Sequence, residues 1–224
     1  MNIEHSKFET IQYLICYPDG YNAGNKYPVL VFLHGAGTRG TEIEKLKNNA
    51  FFKHYERQQD HPFIVVAPLC HENTWFDLFE SLKHFICFIN EQEYTDQSRV
   101  YLMGASMGGY ATWQLAMSVP ELFAAIVPIC GGGMYWNAAR LKNVPVWAFH
   151  GAKDGTVLLR ESEILVEKIN EKGGKARLTV YPENGHNAWD DTYSNPAIYE
   201  WLLAHYNCNE EKLSDAYTDS VMFG

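Results

Sequence analysis

Short apolar runs without alternation recur along the chain: Val29-Leu30-Val31-Phe32-Leu33, Phe63-Ile64-Val65-Val66-Ala67, Ala125 to Ile129 and Val144 to Phe149. Runs of this kind are expected of strands buried on both faces of a mostly parallel sheet. Thr10 to Tyr17, Val100 to Met103 and Ala176 to Tyr181 complete the predicted strands, and the turn-rich stretch Pro18-Asp19-Gly20 to Asn25 joins the first two along the chain. Between them the period changes. Leu78, Leu82, Phe85, Ile86 and Ile89 fall on one helical face, which predicts a helix over Asp77 to Glu93 capped by Asp77. Further helices are predicted over Thr41 to Ala50 with Thr41 as N-cap, Tyr110 to Ser118, Thr156 to Glu171 and Pro196 to Tyr206. Met1 to Glu9 is polar and predicts no element. Strands alternating with helices imply right-handed crossovers, hence an α/β fold with a mostly parallel central sheet covered on both faces.

No linker, composition break or internal repeat divides the 224 residues, so one domain over residues 1–206 is expected, followed by a polar tail over 207–224. Hydrophobic residues at 46% and charged residues at 20% are ordinary globular usage, which excludes a disordered or fibrous chain. Charge narrows the partners. Eighteen Lys and Arg against 27 Asp and Glu leave −9, which repels phosphate backbones and anionic membranes, so no nucleic acid or membrane partner is expected. No apolar run approaches the roughly 18 residues of a membrane span, and no export signal is read at the N-terminus, so a cytoplasmic location is expected. Cys16, Cys70, Cys87, Cys130 and Cys208 form an odd set without C-x-x-C, pointing to reduced thiols. Nothing in the pattern speaks to oligomeric state.

Gly104-Ala105-Ser106-Met107-Gly108 is G-x-S-x-G with a predicted strand before it and a helix after it, the context that presents a nucleophilic serine. The alternative is a glycine-rich turn whose serine caps a helix. A serine hydroxyl needs a base, and the base needs an orienting carboxylate. For such turns the chain order is serine, acid, histidine. Asp154 lies just past the strand ending at Phe149, and His186 lies after the last strand in Glu183-Asn184-Gly185-His186. Asp154 could instead cap the helix from Thr156, and His186 could be a surface loop histidine. Asp190 and Asp191 follow His186 too closely to come from a separate strand end, and Asp77 precedes the serine. His150, at a strand end, reads as a packed or backbone-bonded histidine. His34-Gly35-Ala36-Gly37 reads as an oxyanion loop, with the N–H groups of Ala36 and Met107 as donors, Gly37 as a substitute and His34 as a support.

Nine histidines and Asp154 show no H-E-x-x-H or comparable spacing, so no metal and no cofactor are expected. Trp75, Tyr135, Trp136 and Trp189 all follow predicted strand ends, where loops of an open α/β sheet build the binding face. They are candidate substrate-binding residues and favour an aromatic or sugar-bearing substrate.

The segments Tyr27 to Gly37, Ala67-Pro68, Arg99 to Tyr110, Pro145 to Asp154 and Gly185 to Asp190 resemble the α/β-hydrolase superfamily. The resemblance is to its small serine esterases: phospholipase/carboxylesterase, prolyl-oligopeptidase-like, and feruloyl esterase or polyhydroxybutyrate depolymerase relatives. It implies the α/β-hydrolase fold without a large lid, a triad of Ser106, Asp154 and His186, and cleavage of a small-molecule carboxylic ester through an acyl-enzyme. A small peptidase or thioesterase on the same triad, or a silent binding protein on this scaffold, are the alternatives.

Overall fold

The computed structural model describes residues 2–57 and 62–207. Eight strands form one sheet: β1 (Asn2–Phe8), β2 (Ile11–Tyr17), β3 (Tyr27–Leu33), β4 (Ile64–Pro68), β5 (Thr95–Ala105), β6 (Ala125–Ile129), β7 (Trp147–Gly151) and β8 (Arg177–Tyr181). Their order is β1-β2-β4-β3-β5-β6-β7-β8, parallel from β4 to β8 and antiparallel across β1/β2 and β2/β4.

The apolar runs lie at the centre. Along β3, Val29, Val31 and Leu33 enter one core while Leu30 and Phe32 enter the other, and in β5 Val100 and Leu102 oppose Tyr101 and Met103 in the same way. A strand whose side chains alternate between two buried layers must be apolar at every position. One layer is closed by α3 (Phe79–Asn90), α4 (Met107–Ser118) and α5 (Leu159–Glu171), which contribute Leu82, Phe85, Trp113, Leu165 and Ile169. The other is closed by α2 (Ala50–Tyr55), α6 (Trp189–Ser194) and α7 (Pro196–Leu203), through Phe51, Phe52, Tyr193, Ile198 and Tyr199.

The polar N-terminus is a strand: β1 pairs with β2 through a tight turn at Glu9, whose φ is +51°. It is an edge strand with mostly exposed side chains, so it carries no buried-strand pattern. The helix expected over Thr41 to Ala50 is split into α1 (Glu44–Lys47) and α2, and the side chain that caps α2 is Asn49, accepting from Phe51 N–H at 2.9 Å. Asp77 does not cap α3, which begins two residues later. Its Oδ2 instead accepts from the N–H and hydroxyl of Thr74, both at 2.8 Å, closing the turn before the helix. The 3-10 turn Tyr135–Leu141 and α6 were not anticipated. Of the expected tail, Asn207 is described and donates its N–H to Ser98 O at 2.8 Å; residues 208–224, including Cys208, lie outside the described residues. Cys16, Cys70, Cys87 and Cys130 are free thiols, and no described helix is long and apolar enough to cross a membrane.

Candidate active site

The parallel strands deliver their carboxyl ends to one edge of the sheet, so the segments that follow β3, β5, β7 and β8 meet there. Ser106 sits between β5 and α4 with φ +56° and ψ −117°, a region unfavourable for a residue with a side chain. Neighbouring elements hold the turn. A Cβ on Gly108 would lie 1.9 Å from Leu33 O, so α4 packs against the end of β3 more closely than any side chain permits. The bent turn leaves the Ser106 hydroxyl facing out of the sheet.

The loops after β7 and β8 meet by an equally close approach. A Cβ on Gly151 would lie 2.1 Å from Gly185 O, and Ala152 and Lys153 donate their N–H groups to Tyr181 O and Asn184 O, both at 2.9 Å. This brings Asp154 and His186 together. His186 Nδ1 lies 2.7 Å from Asp154 Oδ2, and its Nε2 lies 2.8 Å from Ser106 Oγ. A carboxylate only accepts, so Nδ1 carries the proton and Nε2 is left to accept from the serine hydroxyl. The second oxygen of Asp154 is occupied separately: Oδ1 accepts from the N–H groups of Thr156 and Val157 at 2.9 and 3.0 Å. The capping alternative and the orienting role therefore coexist on one side chain. Burial pushes the Asp154 carboxyl towards neutrality, but bonds from His186, Val157 and Thr156 outweigh it and hold the pKa below the usual carboxylate value.

The segment Gly35 to Thr38 passes directly over Ser106: a Cβ on Gly35 would lie 3.5 Å from Ser106 Cβ. Ala36 to Thr38 forms a 3-10 turn whose first internal bond runs from Thr38 N–H to Gly35 O, leaving the N–H groups of Ala36 and Gly37 ahead of it. Met107 opens α4, where the N–H has no intrahelical acceptor. Beneath this loop His34 is fully buried. Its Nδ1 donates to Gly35 O at 2.8 Å and its Nε2 accepts from Cys70 N–H at 3.0 Å. Burial holds its pKa down to about 4, so it is a neutral brace.

A cavity of about 430 Å³ opens over Ser106 and His186, walled by the 35–38 segment and by Asn49, Ala50, Thr156, Trp189 and Tyr193. The four candidate aromatics separate here. Trp189 lies on the wall, edge-on to His186 with ring centroids 5.1 Å apart. Trp75 is completely buried below the 35–38 segment, where its indole N–H donates to His34 O at 3.0 Å. It braces the loop from beneath rather than standing on the rim. Tyr135 and Trp136 are carried on the 3-10 turn packed on α4 and α5, and Trp136 is 70% exposed, outside the cavity. The sequence reading missed Asn49, Ala50, Thr156 and Tyr193. Tyr193 stands one helical turn after Trp189, a spacing legible only once α6 is recognised.

Cys130, His150 and Asp154 place possible metal-ligand atoms within 4.8 Å of one another. The atoms are otherwise engaged: both His150 nitrogens are hydrogen-bonded, and Asp154 Oδ2 holds His186. Burial pushes the Cys130 thiol up to about 12, so it stays protonated. The cluster is the packed underside of the acid loop.

The chain is similar to several known proteins. The chain is 24% identical over 186 residues to "Probable feruloyl esterase C" of Aspergillus niger, covering 81% of this chain and 69% of that protein. Over 121 residues it is 29% identical to poly(3-hydroxyalkanoate) depolymerase C of Paucimonas lemoignei, covering 47% of this chain but only 28% of that one. Among solved structures, a thermostable esterase superposes with a TM-score of 0.80 at 34% identity, over 91% of this chain and 63% of its own length. The Dienelactone hydrolase family profile matches residues 49–219, from the cap of α2 to beyond the histidine loop. The chain therefore belongs to the dienelactone hydrolase family, within the α/β-hydrolase superfamily.

Proposed function

We propose that this protein is a serine esterase that cleaves small carboxylic esters through an acyl-enzyme on Ser106. The observation that carries the reading is the unbroken relay from Asp154 Oδ2 through His186 to Ser106 Oγ, at 2.7 and 2.8 Å, on a strained turn facing an open cavity. Relatives described as esterases support it.

In this reading Ser106 Oγ attacks the ester carbonyl as His186 Nε2 takes the hydroxyl proton. The carbonyl oxygen becomes an oxyanion, received by the N–H groups of Ala36 and Met107. Asp154 holds the imidazole in the Nδ1–H tautomer and stabilises its positive charge. Collapse of the intermediate breaks the bond to the leaving alkoxide, which takes the proton from His186 Nε2. Water then repeats the sequence, with His186 again as base, and releases the acid and free Ser106. Trp189 and Tyr193 supply apolar wall, and Ala50 leaves room beside them, which suits a compact aryl or acetyl ester better than a long acyl chain.

The test is a substrate panel: p-nitrophenyl esters of graded chain length, methyl ferulate, acetylated xylan, a thioester and an aminoacyl p-nitroanilide. Highest kcat/KM on short or aromatic esters is expected. A preference for the anilide would make the protein a peptidase, and a preference for long acyl chains would contradict the assigned cavity.

A further inference from the structure

His150 lies near the end of β7, one residue before the glycine that lets the acid and histidine loops meet, and no step of the proposed reaction uses it. Its side chain is fully buried and bonded at both nitrogens. Nε2 lies 2.9 Å from Val157 O and 3.3 Å from Asp154 Oδ2. Both neighbours only accept, so Nε2 carries a proton. Nδ1 lies 2.8 Å from Ser162 Oγ on α5, and that hydroxyl is also 3.0 Å from Gly131 O after β6. One imidazole thus joins the end of β7, the first turn of α5 and the loop carrying Asp154, and Ser162 in turn reaches the segment after β6.

The arrangement around Asp154 is reciprocal. Val157 donates its N–H to Asp154 Oδ1 and accepts from His150 through its carbonyl, so the residue whose N–H anchors one carboxylate oxygen is itself held on its other side by His150. His150 Nε2, whose hydrogen bond goes to Val157 O, also lies 3.3 Å from Oδ2, the oxygen that must aim at His186. Without this imidazole the carboxylate keeps its two backbone donors and His186, but Val157 loses the bond at its carbonyl and Oδ2 loses its neighbour at 3.3 Å. We propose that His150 is a positioning residue, which orients the Asp154 carboxylate so that Oδ2 holds His186 in line with Ser106. The proposal rests on the triad reading above. It differs from a packing role in one consequence: its effect on turnover must pass through the Asp154 carboxylate.

The test is a double-mutant cycle. His150→Leu, His150→Gln and Ser162→Ala are made in the wild type and in Asp154→Asn, with kcat and KM for p-nitrophenyl acetate, the rate of Ser106 labelling by a fluorophosphonate, and Tm as readouts. In the wild type, His150→Leu is expected to lower kcat and the labelling rate by about 10- to 100-fold with KM within about twofold, the scale of a displaced catalytic group. His150→Gln, which keeps an N–H donor, is expected to recover about half or more of that loss on a logarithmic scale. In Asp154→Asn the same Leu substitution is expected to cost less than about threefold, because the group it acts through is already disabled. An undiminished loss on Asp154→Asn, or a His150→Leu enzyme within about threefold of wild type, would overturn the proposal. Should His150→Leu fail to fold, Ser162→Ala decides by the same cycle: a kcat loss of about threefold or more that vanishes on Asp154→Asn supports the role, and an unchanged kcat overturns it. A wild type that is labelled at Ser106 but turns over no ester removes the ester reading and leaves the labelling rates to judge His150.

Discussion

Asp154 divides its two oxygens between a backbone turn and His186. Oδ1 ties down the start of the following turn and Oδ2 alone meets His186, so a substitution can disturb the His186 contact while keeping much of the turn. Asp154→Asn retains an acceptor at one position but places an amide where the imidazole needs a carboxylate. We expect kcat to fall by roughly 10⁴-fold, the scale set by the equivalent change in a serine protease, with little change in KM. Steady-state kinetics on p-nitrophenyl acetate measures it, and near-normal kcat would require another acid. Ser106, Asp154 and His186 were legible in the sequence because each is tied to a strand end that hydrophobic pattern alone reveals, in a fixed order. His150 reads as a packed or backbone-bonded histidine, and it is buried with Nε2 on Val157 O, but its place beside Asp154 is not legible in the sequence. Nothing in its spacing shows that the chain turns back after Gly151 to bring Val157 and Ser162 around the ring.

At the scale of elements, the 35–38 segment is a 3-10 turn that is also held from below. His34 braces Gly35 O and Cys70 N–H, and Trp75 donates to His34 O from a fully buried position. Trp75→Phe keeps most of the ring volume but leaves that buried carbonyl without its donor, at a cost of about 1–3 kcal/mol. A lower urea midpoint with unchanged slope is expected, together with a fall in kcat larger than any rise in KM as the loop loosens over Ser106. A change in KM alone would return Trp75 to the binding wall. Position after a strand end marked all four aromatics equally, and only the local backbone separates them. The chain dives under the loop at Trp75, rises on a 3-10 turn at Trp136 and starts a helix along the cavity at Trp189. The edge strand β1 was missed for a related reason: most of its side chains face water, so burial imposed no pattern on it.

Across the molecule, one topological fact gathers the site: β3, β5, β7 and β8 run parallel and end on the same edge, so residues between 34 and 186 converge. That much followed from alternating strands and helices, whereas strand order and the antiparallel hairpin at the edge did not. The same convergence makes stability depend on acidity. His34 is buried beneath the loop with its pKa held to about 4, against about 6.5 in an unfolded chain. As pH falls below about 6.5 the unfolded chain takes up a proton that the folded one refuses. Stability therefore declines between about pH 6.5 and 4, by about 3 kcal/mol from this group alone, and no further below that. Asp154, whose pKa is depressed on folding, adds stability at neutral pH that is lost only in more acid solution, as pH falls below the ordinary carboxylate value. Urea unfolding at pH 7 and 4.5 is expected to show a smaller drop for His34→Gln than for the wild type. Equal drops would mean that His34 does not carry the effect.

Acylation of Ser106 is read out by rapid mixing with p-nitrophenyl acetate. The wild type is expected to release a burst of p-nitrophenol equal to its active-site concentration. Mass spectrometry of the acid-quenched protein is then expected to find one acetyl group on the peptide containing Ser106, with both signals absent in Ser106→Ala. An acetyl group on another residue, or a Ser106→Ala variant that turns over ester at the wild-type rate, would contradict the account.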